Sequence, residues 1–491
     1  MASAPTSARV LIQRPDSFFI DGEWVKPSTD SKIKVVNPST EEPFLWVAEA
    51  QEADIDRAVL AARSAFDHGS WPRLSHAERA EYLRAFARKL EERSELLSGV
   101  WTSEIGVVRQ LADGVASGAA HAFNYYAALA TTFAWQEEHQ PLHSPGATKG
   151  YLVREPVGVV GAIIPWNGAL GLIGWKVAPA LLAGCTVVLK SSPESPGSAL
   201  VVAEIAAEIG LPKGVLNVVT ADRDASEALV RNPHVDKITF TGSTAAGKRI
   251  GSICGGRIAR CTLELGGKSA GVIMDDYDVE SAAKSISSTA RILNGQVCSS
   301  LTRILVSRHR HDAFVDALSA EFDKIRVGDP FDINTELGPL AMQRQRDRVE
   351  DYIAKGKVEG AKLAAGGGRP AHLNRGYFVE PTVFAAVDNN MAIAREEIFG
   401  PVISVIPTDS EAEAIDIAND SPFGLNASVF TNDAQRAFDV ARQLRSGTVG
   451  HNAWRTDFSI AFGGFKQSGI GREGGVEGLL PFLESKTVIL S

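Results

Sequence analysis

The sequence predicts an α/β fold with two parallel-sheet units that form a cleft between them. Three observations carry this expectation. Between Val157 and Ile253, short β-branched runs (Val157 to Ile164, Thr186 to Leu189, Val215 to Val219, Lys237 to Phe240) alternate with helical stretches, the rhythm of βαβ units. A second set of strand-like runs, Ala270 to Met274, Arg303 to Val306, Val402 to Ile406 and Ser428 to Phe430, falls in a section from about Leu265 to about Phe465. The third is size: 491 residues, at roughly 150 per domain, allow about two to four domains with ample apolar core.

Along the chain, the first 150 residues read as an irregular arm followed by helices. Ser75 and Glu78 make a capping-box signature, and Leu83, Phe86, Ala87, Leu90 and Leu97 recur at helical spacing, so one helix is expected from Ser75 to Leu97 with a buried face. In an open parallel sheet, ligands sit beyond the carboxyl ends of the strands. The segments there read Pro165-Trp166-Asn167-Gly168, Lys190-Ser191-Ser192-Pro193 and Thr241-Gly242-Ser243-Thr244. Gly366-Gly367-Gly368 before Arg369-Pro370 marks a surface turn.

Composition narrows the function. Hydrophobic residues make up 44% and charged residues 22%, near soluble-globular averages, which argues against a disordered, collagenous or coiled-coil chain. The 50 Lys plus Arg against 59 Asp plus Glu give a formal charge of -9 without long single-sign runs, so nothing favours nucleic acid or an anionic membrane as partner. The apolar stretch from Leu170 to Leu189 is interrupted by Lys176 and Pro179 and is no membrane span. Met1 to Arg9 carry no signal-peptide core, and the first hydrophobic cluster, Phe18-Phe19-Ile20, is cut short by Asp21. Cys185, Cys254, Cys261 and Cys298 suit neither a disulfide framework nor a metal site. A cytoplasmic protein acting on small molecules, without a metal, is expected.

Three short motifs mislead. Gly469-Ile470-Gly471-Arg472-Glu473-Gly474 has G-x-G-x-x-G spacing, but no buried strand leads into it and too little chain follows for a βαβ unit. Gly242 to Lys248 spells G-x-x-x-x-G-K, but Arg249 stands where a P-loop needs Ser or Thr for magnesium. Gly267-Lys268-Ser269-Ala270-Gly271 has the form of a nucleophile elbow, yet its apolar strand follows the serine instead of preceding it.

Glu264-Leu265-Gly266-Gly267-Lys268 and Asn294-Gly295-Gln296-Val297-Cys298 resemble the two signature motifs of the aldehyde dehydrogenase superfamily. The resemblance extends in order over Pro165-Trp166-Asn167, Lys190, Phe240-Thr241-Gly242-Ser243, Glu396-Glu397-Ile398-Phe399-Gly400-Pro401, Asn452, Phe462-Gly463-Gly464 and Ser468-Gly469-Ile470-Gly471-Arg472-Glu473. It implies NAD(P)-dependent oxidation of an aldehyde to an acid, which needs a nucleophile, a hydride acceptor and a base. Cys298 is then the nucleophile, Asn167 the oxyanion donor with the Cys298 N–H, and Glu264 the base that hydrolyses a thioester; Lys176 and Glu473 join the catalytic set by the same resemblance. Glu264 favours a free acid over an acyl transfer to coenzyme A. The alternatives are a coenzyme A-acylating relative or a binding or structural protein on the same fold. Taken singly, Glu264 reads as a surface carboxylate and Asn167 as a turn residue; Cys185, Cys254 and Cys261 read as inert core thiols, and Cys298 as the one most open to oxidation.

The resemblance places Ile164, Pro165, Trp166, Lys190, Ser192, Gly242, Ser243, Leu265, Gly266, Glu397 and Phe399 around the dinucleotide, with Ser243 at a helix N-terminus facing the phosphates. Pro193 stands where strict NAD users commonly carry a glutamate for the ribose hydroxyl, with Glu194 one step later, so NAD is expected with NADP possible. Ala221-Asp222-Arg223 departs from the glycines usual near the adenine. Gly168-Ala169 and Ala461 suggest a widened substrate tunnel lined by Gly168, Leu172, Trp175, Val297, Trp454, Phe458 and Phe462, suited to a bulky apolar aldehyde. The implied parts are a cofactor domain of residues 1–138 and 160–263, a catalytic domain of residues 264–466, and an oligomerisation element of residues 139–159 and 467–491. The alternating C-terminal segment from Glu484 to Ser491 is expected to add to a partner's sheet in a homodimer or homotetramer, or else to be an edge strand of its own chain.

Overall fold

The computed structural model describes residues 12–491; residues 1–9, read above for a signal core, lie outside the described residues. The four runs expected near the start of the first unit are strands Val159–Ile163, Thr186–Ser191, Leu216–Thr220 and Lys237–Thr241. With Arg260–Glu264 they make five parallel neighbours at the centre of an eight-stranded sheet. Their residues are buried in unbroken runs, as expected of parallel strands covered on both faces. The arm is less irregular than expected: Phe18–Ile20 and Glu23–Val25 extend this sheet at one edge, and Lys32–Asn37 pairs with Glu42–Ala48 as a separate hairpin.

The expected helix is two helices. Ser75 and Glu78 cap the first reciprocally, with the Glu78 N–H donating to Ser75 Oγ at 3.2 Å and the Ser75 N–H to Glu78 Oε2 at 2.7 Å. It spans His76–Glu92 and buries Leu83, Phe86, Ala87 and Leu90, but the backbone leaves helical geometry at Arg93 and Leu97 belongs to the next helix, Ser94–Ile105. Periodicity runs through the break because both helices bury their apolar faces in neighbouring core.

The second sheet has seven strands, in the order Lys362–Ala365, Thr382–Ala385, Val402–Thr408, Leu301–Ser307, Ser269–Ile273, Asn426–Phe430 and Thr448–His451. All neighbours run parallel except the first pair. Gly366 and Gly367 turn the chain with φ of +63° and +90°, and a Cβ on Gly366 would stand 2.1 Å from the Pro381 carbonyl oxygen.

A three-stranded sheet sets Lys149–Pro156 between Gln136–His139 and Leu483–Leu490. The C-terminal strand pairs along one edge with its own chain, from Leu483 opposite Pro156 to Leu490 opposite Lys149, and forms the edge of this sheet. The reason is proximity: the Val157 N–H donates to the Phe482 carbonyl at 2.9 Å, which delivers the strand beside its neighbour at no cost in association entropy.

None of the misleading motifs gains the context it would need. Gly469–Ile470 is a two-residue edge strand followed by the short helix Gly475–Leu479, Arg249 pairs with Glu227, and Ser269 opens a strand. Among the described residues no helix is long and apolar enough to cross a membrane, and no cluster of His, Cys, Asp and Glu could hold a metal ion.

Candidate active site

The segment before Cys298 is rigid for identifiable reasons. The helix Val279–Arg291 ends in a turn where Leu293, Asn294 and Gly295 take φ of +48°, +57° and +76° in succession. A left-handed conformation costs a non-glycine residue roughly 1–2 kcal/mol, so this turn persists only because side chains hold it. The Asn294 amide donates to the carbonyls of Gly106 (2.9 Å) and Pro339 (2.8 Å) and accepts the Gly338 N–H at 2.8 Å. Gln296 accepts the Ala341 N–H at 3.0 Å, and Trp454 Nε1 donates to the Ser299 carbonyl at 3.0 Å. Sequence reading quoted Asn294 and Gln296 without giving them a role; amide side chains flanking a glycine are the signal that was available.

Asn167 reaches this loop: its Nδ2 donates to the Gln296 carbonyl at 3.0 Å, which leaves the second amide hydrogen for an oxyanion at Cys298. The connection from the first sheet to the second passes directly behind, where a Cβ on Gly267 would lie 2.4 Å from the Cys298 carbonyl oxygen. Burial, with the Glu397 and Glu264 carboxyls nearby, pushes the Cys298 thiol up to about 12. A charged sulfur is poorly solvated there and faces carboxylates, which favours the thiol over the thiolate.

Glu264 ends the strand Arg260–Glu264, buried, with neither carboxyl oxygen hydrogen-bonded. A Cβ on Gly463 would stand 2.7 Å from its Oε1, so that glycine makes room for the carboxyl. Burial and then the Glu473 carboxylate push Glu264 well above the usual range, against the pull of Lys176 and Arg472. Lys176 and Glu473 form a buried ion pair. The Lys176 ammonium donates to Thr239 Oγ1 at 3.3 Å, and that hydroxyl donates to Glu473 Oε1 at 3.5 Å. Thr239 escaped the sequence reading; alternating Lys237, Thr239 and Thr241 in a buried strand were its signal.

The cofactor candidates gather along the carboxyl edge of the first sheet. Ser243 caps the helix Thr244–Arg257 by accepting the Ala246 N–H at 3.3 Å, and the hydroxyls of Thr241 and Thr244 beside it are buried without partners. These orphaned donors at a helix N-terminus fit a diphosphate. Gly242 cannot carry a side chain, since a Cβ would come within 2.4 Å of the Phe240 ring. Glu397 accepts the Gly267 N–H at 3.1 Å, and a Cβ on Gly266 would meet its Oε2 at 2.4 Å; burial raises this carboxyl to about 7. Trp166 and Phe399 meet edge to face at 5.4 Å, with Phe399 held at φ +64°. Pro165 is half-buried next to Trp166, and Ile164 and Leu265 are buried core residues.

At the far end, Lys190 donates to the Ala221 carbonyl at 3.3 Å and burial lowers it to about 8. Asp222 caps the helix Arg223–Arg231. The carboxylate counted as missing is present: Glu194, one residue late, folds back to accept from the Ser192 hydroxyl and pairs with Arg344.

Trp175 stacks on Phe458 at 5.3 Å, and Phe458 on Phe462 at 4.4 Å. Tyr125, Tyr126 and His121 border Trp175 from the helix Val115–Thr132, which carries no Asp, Glu, Lys or Arg. Leu172 joins this aromatic group through the same core, and a Cβ on Gly168 would first touch Leu172, at 3.9 Å. Val297 is half-buried beside Cys298. Trp454 instead packs against the core of the second sheet, so it supports the nucleophile loop and stands apart from the aromatic stack.

Residues 24–488 match the model of the aldehyde dehydrogenase family. The chain is 44% identical over 473 residues to geranial dehydrogenase of Castellaniella defragrans, covering 96% of this chain and 98% of that protein. It is 44% identical over 478 residues to 3-succinoylsemialdehyde-pyridine dehydrogenase of a Pseudomonas species, covering 96% and 98%. The crystal structure of Mycobacterium tuberculosis aldehyde dehydrogenase complexed with NAD+ superposes with a TM-score of 0.94 at 45% identity, covering 97% of this chain and 98% of that one. The protein belongs to the aldehyde dehydrogenase family, oxidoreductases that act on aldehydes.

Proposed function

We propose that this enzyme oxidises bulky, apolar aldehydes to carboxylic acids with NAD as hydride acceptor. The observation that carries the substrate class is the continuous stack of Trp175, Phe458 and Phe462 against a helix without fixed charge. Geranial dehydrogenase, whose name gives a branched apolar aldehyde, supports it.

The residues assign themselves to steps. The Cys298 sulfur adds to the carbonyl carbon, its proton passing to a neighbouring carboxylate, and the second Asn167 N–H with the Cys298 N–H holds the oxyanion. A bound nicotinamide dinucleotide would supply the hydride acceptor. Ser243, Thr241 and Thr244 would hold its diphosphate, Lys190 and the Glu194–Ser192 pair its adenosine ribose, and Glu397 the other ribose, with Phe399 and Trp166 beside the ring. The Cys298 thioester is then cleaved by water, whose proton Glu264 takes and shares with Glu473 and Lys176. Glu264 lets turnover proceed without coenzyme A.

Residues 1–138 and 160–263 serve the cofactor and residues 264–466 the chemistry; of residues 139–159 and 467–491, the strands Lys149–Pro156 and Leu483–Leu490 serve assembly, while Gly469–Ile470 edges the first sheet and Glu473 belongs with Lys176. Ile489 and Leu490 on the three-stranded sheet and Leu142 in the connection between two of its strands, exposed at 51%, 47% and 85%, favour a homodimer or homotetramer, and light scattering should give more than one chain. The functional test is nicotinamide reduction with terpenoid, aromatic, long-chain, betaine and two-carbon aldehydes. The highest kcat/KM is expected for a terpenoid, aromatic or long-chain aldehyde; a best rate with acetaldehyde or betaine aldehyde would overturn the substrate class.

A further inference from the structure

The turn that presents Asn167 has little structure of its own. It joins the strand Val159–Ile163 to the helix Ala169–Ala183, and two side chains from elsewhere hold its carbonyls. Ser195 Oγ donates to the Trp166 carbonyl at 3.0 Å, and Trp101 Nε1 donates to the Asn167 carbonyl at 3.1 Å. The residue after Asn167 is Gly168, where a Cβ would meet nothing nearer than Leu172 at 3.9 Å. A glycine in open space leaves the peptide between the two residues free to rotate, and the Asn167 side chain would swing with it. The indole hydrogen bond opposes that rotation.

Trp101 suits this task because its own position is fixed. It is buried in the helix Ser94–Ile105, in a hydrophobic cluster with Ile105, Val107 and Ala341. Trp166 and Leu293 pack against that cluster, and Leu293 opens the left-handed turn that leads to Cys298. A tryptophan carries its donor on a rigid ring, so the packing that orients the ring also aims the N–H. The same helix reaches the nucleophile loop just past its C-terminus, where the Gly106 carbonyl accepts the Asn294 amide at 2.9 Å. One helix thus sets both sides of the gap that an oxyanion must enter: Trp101 holds Asn167, and Gly106 holds the turn before Cys298. The Asn167 Nδ2, donating to the Gln296 carbonyl at 3.0 Å, closes this ring of contacts.

We propose that Trp101 is a positioning residue for the reaction: its indole N–H, by holding the Asn167 carbonyl, keeps the free amide hydrogen of Asn167 aimed at the oxyanion formed on Cys298. The proposal rests on the reading of Asn167 as the oxyanion donor. Trp101 touches neither aldehyde nor cofactor in this role and acts through Asn167 alone. Its contribution lies in the transition state, because the donor it aims is worth most when charge develops on the carbonyl oxygen, and a misplacement of about 1 Å can cost about 10²-fold in rate.

The rate of nicotinamide reduction in the first turnover, at saturating aldehyde and NAD, is measured for Trp101→Phe, Asn167→Ala and the double variant of the full-length enzyme. Asn167→Ala should slow it about 10²- to 10³-fold and Trp101→Phe at least about tenfold, with KM for the aldehyde within about twofold of the wild type in each. In the Asn167→Ala background, Trp101→Phe should cost less than about twofold more, because the residue it acts through is already gone. Thermal unfolding of each variant is followed in parallel. Where Trp101→Phe is unstable, Trp101→3-benzothienylalanine, which exchanges the N–H for sulfur at nearly constant shape, takes its place with the same expectation. A Trp101 substitution that slows both backgrounds equally, or neither, while Asn167→Ala is slow would overturn the proposal and leave Asn167 its role. An Asn167→Ala enzyme as fast as the wild type would overturn the oxyanion reading and the proposal with it.

Discussion

Replacing Lys176 by Met tests the buried charge network directly. Lys176 is fully buried and, among the described residues, supplies the only cation paired with Glu473, whose second oxygen is already unpartnered; Thr239 would lose its donor as well. Removing one partner of a buried pair typically costs about 3–5 kcal/mol, because a desolvated carboxylate is left alone. Lys176 also holds Glu264 down, so in the variant Glu264 keeps its proton to higher pH. The sign follows: a carboxyl raised above its unfolded value adds stability at low pH that is lost as pH rises through the folded value, so the deficit of Lys176→Met should widen from about pH 5 to 8. In single-turnover deacylation the acid limb should move to higher pH. Adding Glu473→Gln removes the stranded charge and should recover all but about 2 kcal/mol. Urea unfolding across pH measures this. A loss under about 1 kcal/mol, or a double variant as unstable as the sum of the singles, would refute the argument.

Other outcomes follow from the same geometry. Asn167→Ala should lower kcat by about 10²- to 10³-fold with KM little changed, since the amide acts on charge that develops in the transition state; a loss in KM alone would count against it. Glu194→Gln should raise NADP turnover relative to NAD by removing the carboxylate beside Ser192, and an unchanged ratio would place the ribose elsewhere. In the cofactor-free enzyme, alkylation of Cys298 by iodoacetamide should climb about tenfold per pH unit from about pH 7 to 10, with no plateau near neutrality, because the thiol is held up to about 12. Phe458→Ala should cost a bulky aldehyde about 1–3 kcal/mol in kcat/KM and a two-carbon aldehyde much less.

The sequence by itself determined eight core strands and the two-sheet architecture, because hydrophobic runs and turn residues are signals that lie within a few residues of chain. Cys298, Glu264, Asn167 and Ser243 were singled out by the motifs that resemble the family's, since each taken singly reads as an ordinary residue. Sequence reading missed the strands Lys362–Ala365, Thr382–Ala385 and Thr448–His451, which are short and take their order from pairing with distant neighbours. It ran one helix past Arg93 and left the intrachain neighbour of the last strand open, because neither a break in backbone angle nor a pairing partner is written in periodicity. Charge states lay furthest from reach. The upward push on the Cys298 thiol and the Glu264 carboxyl, and the return of Glu194 to Ser192, depend on which groups are brought within a few ångströms and how far water is excluded. Both conditions rest on contacts between residues distant in the chain, such as Glu264 with Glu473 and Glu194 with Arg344, and only packing creates them.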